Sequence, residues 1–207
     1  MKNYADFMMV LSPNEHVKAL IQEHKQYAAG IIGQYESMHS IAHISIKNMP
    51  RQKTFLTEPA IIALRKILPT LPPITLTIDG FDYFNHGEDY KTIYAKLRTD
   101  HLSTLWFKTL KKHLGIKEFM VPHITVARNI PIADFNKLWP HFKAINWVES
   151  FTVSELTVLQ RETFATFAKW ELFTTLPFEA KHLVEPVAPR QAPIKSVNMH
   201  KGQMSLF

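Results

Sequence analysis

Apolar residues recur along this chain first at strand spacing, then at helical spacing, and the alternation of the two is itself repeated. Phe7 to Leu11 is a short apolar run that predicts a buried strand. Ser12-Pro13-Asn14-Glu15 follows as a capping-box pattern, with proline at the first helical position. Val17, Leu20, Ile21, His24 and Ala28 then recur at helical spacing, which predicts a helix over residues 13–29, ended by Gly30 and Gly33. Residues 40–46 alternate as a strand. Pro59 opens a second predicted helix that runs to Leu68, where Pro69 stops it. Ile74, Leu76 and Ile78 alternate with Thr75 and Thr77 as a half-buried strand. Asp79-Gly80 then reads as a turn.

The same order returns. Residues 92–97 predict a strand. Asp100 caps a helix carrying Leu102, Leu105, Trp106, Thr109, Leu110 and His113, with Gly115 as its stop. Residues 120–127 alternate as a strand, and Pro131 opens a helix with Ile132, Phe135, Leu138, Trp139 and Phe142 on one face. Residues 153–159 close the second half. An extra strand is expected after each half, near 81–84 and near 167–175. The order predicts an α+β fold of two pseudo-symmetric lobes. Each lobe is an antiparallel sheet with helices packed on its outer face, and a cleft lies between them. This bilobal domain is expected over residues 1–178. Residues 179–207 lose periodicity and hold Pro186, Pro189 and Pro193, so they are expected to form an extended tail ending in Gln203-Met204-Ser205-Leu206-Phe207.

Composition narrows the chemistry. Hydrophobic residues make up 46% of the 207 positions, enough for a core. The net charge of +6 favours an anionic partner, nucleotide or RNA above all. There is no cysteine, which removes disulfides, thiolate catalysis and cysteine-ligated metals. The first apolar run is too short for a signal sequence or a membrane span, so a soluble, cytoplasmic, monomeric protein is expected.

Two segments carry the candidate chemistry: Ala42-His43-Ile44-Ser45-Ile46 and Pro122-His123-Ile124-Thr125-Val126-Ala127-Arg128. Each occupies the middle strand of its half. Side chains alternate between the faces of a strand, so Ile44, Ile46, Ile124 and Val126 point into the cores. His43 and Ser45, like His123 and Thr125, point together to the other face. Packing the lobes about a pseudo-twofold axis brings two imidazoles and two hydroxyls to one cleft. That set suits phosphodiester cleavage. One imidazole takes a proton from water and the other gives one to the leaving alkoxide, while the hydroxyls bind non-bridging phosphoryl oxygens. A lone His-x-Ser or His-x-Thr is commonplace; two in matching slots are much less so.

These motifs resemble those of the two-histidine (2H) phosphoesterase superfamily, in the branch of 2′-5′ RNA ligases and RNA 2′,3′-cyclic phosphodiesterases. The resemblance extends over about residues 5–178, with Ser45 where threonine is commoner. It implies a metal-independent cyclic phosphodiesterase acting on 2′,3′-cyclic phosphates or 2′,5′ linkages of RNA ends or small nucleotides, without a cofactor. It implies His43 and His123 as the acid–base pair, with Ser45 and Thr125 holding the phosphate. Arg128 has the opposite strand parity to His123, so it reaches the rim only if the strand ends or bulges after Ala127.

Weaker signals complete the reading. Phe7, Phe81, Tyr83, Phe84 and Phe167 are candidates for stacking on a base, although aromatics at strand spacing ordinarily belong to the core. No His-Glu-x-x-His pattern occurs, and no catalytic metal is expected. Gln203, Leu206 and Phe207 resemble the peptide with which bacterial proteins bind the DNA sliding clamp. The alternative to an enzyme is a non-catalytic RNA- or nucleotide-binding module, tethered to that clamp through this peptide.

Overall fold

The computed structural model describes residues 3–118 and 120–183. The chain forms two four-stranded antiparallel sheets. The first has the order β2-β1-β7-β8, built from β1 (Tyr4–Leu11), β2 (Ile44–Lys53), β7 (Glu155–Glu162) and β8 (Glu171–Pro177). The second has the order β5-β4-β3-β6, built from β3 (Ile74–His86), β4 (Tyr90–Leu97), β5 (His123–Pro131) and β6 (Val148–Val153). Four helices join them: α1 (Glu15–Ile32), α2 (Thr54–Ala63), α3 (His101–His113) and α4 (Ile132–Ala144). This is the expected two-lobed α+β plan.

The chain is divided between the lobes differently from the prediction. The third strand of each half lies in the other half's sheet: β3 pairs with β4 and β6, and β7 pairs with β1 and β8. Hydropathy alternation defines a strand but not its partner, so the exchange leaves no mark on local periodicity. The helices exchange as well. α1 lies beside α4 and β5, where His24 packs edge-on to Phe81 at 4.8 Å and Tyr27 stacks on His141 at 3.8 Å. α3 sets Trp106 edge-on to Phe178, which follows β8, and Trp106 Nε1 donates to Pro72 O at 2.8 Å.

Several boundaries have local reasons. Asn14, not Ser12, caps α1, because its side chain accepts from Val17 N at 2.9 Å. α2 begins before Pro59, which sits inside it, and two 3₁₀ turns, Leu64–Lys66 and Leu68–Thr70, take the place of its predicted second half. Asp79-Gly80 is a bulge rather than a turn. Gly80 adopts φ 72°, the register slips between Ile78 and Phe81, and the strand continues, so residues 81–84 are not a separate strand. The final strand begins at Glu171, leaving Phe167 outside it. Asp100 caps α3 as expected, in a reciprocal pair with Ser103. Ala180 N donates to Leu71 O at 3.1 Å, and Leu183 packs against the core. Gln203, Leu206 and Phe207, with the clamp-peptide expectation, lie outside the described residues. Among the described residues no helix is long and apolar enough to cross a membrane.

Trp106 is almost fully buried. Trp106→Ala is therefore expected to destabilise the fold by about 3–5 kcal/mol through lost burial and a residual cavity. Urea denaturation with an unchanged m-value checks this, and a loss below about 1 kcal/mol contradicts the packing described.

Candidate active site

β2 and β5 are edge strands of different sheets, and they approach one another across the cleft. The alternation of burial along them matches the sequence expectation. Ile44, Ile46, Ile124 and Val126 are buried, while His43, Ser45, His123 and Thr125 are at least partly accessible. Ser45 and His123 line one cavity of about 460 Å³, together with Ile46, Lys47, Asn48, Gly115, Ile116, Glu118 and Met120. His43 directly precedes β2, two residues before Ser45.

Both imidazoles are held in the same way. His43 Nδ1 lies 2.7 Å from Ile41 O, and His123 Nδ1 lies 2.8 Å from Val121 O. A carbonyl oxygen can only accept, so each Nδ1 carries a hydrogen and donates it. That bond leaves Nε2 of each ring as the nitrogen able to act as a base when neutral and an acid when protonated. Burial pushes both rings below the ordinary histidine value. For His43 the positive charges of Lys25, His123 and Arg128 push further the same way, against the Ile41 carbonyl bond. For His123 burial is again the main cause, the Val121 carbonyl opposes it, and Arg128 adds to it. His43 thus feels the charge of the ring from the other sheet.

Arg128 is exposed at the point where regular pairing of β5 fails. The β4–β5 register shifts on both sides of Ile93, which pairs with Ala127. Val126 and Ala127 are buried in succession, and Asn129 has φ 52°. The break in parity that Arg128 requires is therefore present. Its charge bears on both imidazoles.

A buried lysine organises the approach to His43. Lys25 has no accessible surface, and its Nζ donates to Ser37 O at 2.9 Å, Ser40 O at 2.6 Å and Ser40 Oγ at 2.7 Å. Three acceptors match the three ammonium hydrogens. Burial brings its pKa down to about 8. Ser37 continues the link to the other lobe. Its hydroxyl donates to Val126 O at 3.2 Å and accepts from Arg128 N at 2.9 Å. One network therefore joins the loop before His43 to the bulge after His123.

The aromatic candidates separate. Phe84 stacks on Tyr94 at 4.2 Å, and both rings pack against His123, at 4.9 and 5.0 Å. Phe7 is buried against Phe173, Phe81 lies in the α1–α4 cluster, and Tyr83 packs on Phe135 and Trp139. Phe167 is 94% exposed. Lys25, Ser37, Ser40 and Tyr94 were not among the sequence candidates. Lys25 had a signal, since it falls on the Val17-Ile21-Ala28 stripe of α1, where a charge demands partners. Ser37 and Ser40 had none, because their role depends on where the loop comes to rest.

The comparisons with known proteins bear on the family and the fold. The model of the 2′-5′ RNA ligase superfamily matches residues 13–163, and the chain belongs to that superfamily, a group of phosphodiesterase- and ligase-like enzymes of the two-histidine type. Among solved structures, the protein TT0787 of Thermus thermophilus superposes with a TM-score of 0.62 at 16% identity, covering 86% of this chain and all of that one. Apo LigT of E. coli superposes with a TM-score of 0.56 at 13% identity, covering 86% of this chain and 99% of that one. At these identities the likeness is one of fold. No curated protein sequence matches the chain.

In the ligand-free protein both His43 and His123 are expected to titrate below 6.5 as Nδ1–H tautomers, read from long-range proton–nitrogen NMR correlations. Lys25→Met should raise the His43 pKa, since it removes a positive charge that bears on that ring. Either ring titrating above 6.5 in the wild type contradicts this electrostatic description.

Proposed function

We propose that this protein is a metal-independent phosphodiesterase that hydrolyses 2′,3′-cyclic phosphate or 2′,5′-linked phosphodiester bonds of RNA or small nucleotides. The observation that carries the reading is the matched pair. Each sheet contributes one histidine with Nδ1 tied to the carbonyl two residues before it, and one hydroxyl residue two positions after it.

For a 2′,3′-cyclic phosphate, His123 Nε2 takes a proton from water as the water oxygen attacks phosphorus. The bond from phosphorus to the 3′-oxygen breaks, and His43 Nε2–H protonates that oxygen, leaving a 2′-phosphate. Ser45 and Thr125 donate to the non-bridging oxygens, and Arg128 adds positive charge at the rim. The approach of the anion favours protonation of a ring that is otherwise neutral, so substrate binding helps to arm the acid. Support also comes from E. coli LigT, a protein of the same fold, which has been crystallised with phosphate and with 3′-AMP.

His43→Ala and His123→Ala are each expected to lower turnover of a 2′,3′-cyclic nucleotide by about 10²–10⁴-fold in EDTA, with unchanged circular dichroism. Full activity in the double variant would refute the proposal. The pH profile has a definite sign. The acid must hold a proton before reaction, and both rings lie below 6.5. kcat/KM, which reports the free enzyme, should therefore form a bell with its maximum below pH 6.5 and fall as pH rises toward neutrality. A maximum above pH 6.5 contradicts this assignment.

A further inference from the structure

A second, larger hollow opens beside the histidine cleft. It holds about 660 Å³ and is lined by Thr99, Thr104, Phe107, Lys108, Lys111, Lys112, Ile116, Met120, Val121 and Pro122. Ile116 and Met120 also line the histidine cleft, so the two spaces share a wall. The floor then runs through Val121 and Pro122 straight into His123. Val121 is also the residue whose carbonyl holds the His123 ring.

The chemistry of this hollow differs from that of the cleft. Its floor is apolar: Phe107, Ile116, Met120, Val121 and Pro122. Its rim is cationic, supplied by α3 through Lys108, Lys111 and Lys112, and among the described residues none that lines it is acidic. Lys111 is engaged, with Nζ donating to Glu118 O. Lys108 and Lys112 are exposed and stand one helical turn apart on the same face. An apolar floor beside a row of ammonium groups is complementary to a nucleic acid strand, whose bases have apolar faces and whose phosphates are anionic. An acidic peptide would use the rim and leave the floor unfilled. A single cyclic nucleotide anchored at His123 would fill the cleft and leave the hollow empty.

We propose that this hollow is a subsite for the nucleotides next to the scissile phosphodiester, which makes the substrate an RNA end rather than a free mononucleotide. The inference rests on the phosphodiesterase reading and deepens it. The base of a neighbouring nucleotide lies on the Phe107–Met120 floor, and its flanking phosphates face Lys108 and Lys112.

The test compares a five-nucleotide RNA ending in a 2′,3′-cyclic phosphate with 2′,3′-cyclic AMP, using the full chain and the Lys108→Ala/Lys112→Ala variant. The wild type should favour the RNA by about tenfold or more in kcat/KM. The variant should lose about tenfold on the RNA, keep its activity on 2′,3′-cyclic AMP, and show a shallower salt dependence by about one unit per lysine. The Lys→Arg pair should restore the preference. Equal treatment of both substrates by the wild type, or equal losses on both in the variant, overturns the subsite. If neither substrate is hydrolysed, the 2′,3′-cyclic phosphodiesterase reading fails by itself. Fluorescence anisotropy of the labelled RNA then decides the subsite: weaker binding by the variant supports it and unchanged binding overturns it. Equal lysine-dependent binding of a polyglutamate of the same charge also overturns it, since the hollow would then bind anions without regard to bases.

Discussion

His43 and His123 each donate the Nδ1 hydrogen to the carbonyl two residues before, and the direction of that bond governs what the ring can do. An imidazole hydrogen-bonded through Nδ1 has its tautomer, its orientation and its working nitrogen chosen together. The bonds to Ile41 O and Val121 O do this once in each lobe. They need the chain to turn at the start of an edge strand, and β2 and β5 begin at Ile44 and His123. Strand alternation then places Ser45 and Thr125 beside the rings. The candidate site is thus a property of two strand starts, one in each sheet.

What keeps these strand starts in register is polar. Lys25 reaches the loop before His43 with three hydrogen bonds, and Ser37 of that loop grips the backbone of β5 on either side of the break at Ala127. A buried ammonium is costly unless each of its hydrogens finds an acceptor. Here carbonyl and hydroxyl oxygens accept all three, so the charge remains and bears on His43. Lys25 thus places a positive charge that bears on His43 before any anion enters. Arg128, brought outward by the same break in pairing, adds to it.

Much of this was legible in the sequence. The period-two patterns of residues 40–46 and 120–127 placed the histidines and hydroxyls on one face each. Asp100 and Pro131 marked helix starts correctly. The lobes themselves were legible only as a number. Which sheet received β3 and β7 depended on long-range pairing that local hydropathy does not encode. Pro59 misled because α2 opens at Thr54 and carries this proline in its interior, at the loss of one helical hydrogen bond. Lys25 stood in plain view on a buried stripe, where a lysine is rare enough to call for an explanation. Ser37, Ser40 and the two carbonyls carried no local signature, since their importance comes from the positions of distant chain segments. Phe84 and Tyr94 had the signature of core aromatics, and only the approach of β4 to His123 distinguishes them.

The central claim is that two imidazoles from separate sheets serve one phosphorus centre. Its most direct measurement is a titration of the ligand-free protein with inorganic phosphate, following the Nε2 resonances of His43 and His123 by nitrogen-15 NMR. Both resonances should move, with one shared dissociation constant and a stoichiometry of one phosphate per chain. Movement of one ring alone, or two unrelated constants, would contradict it.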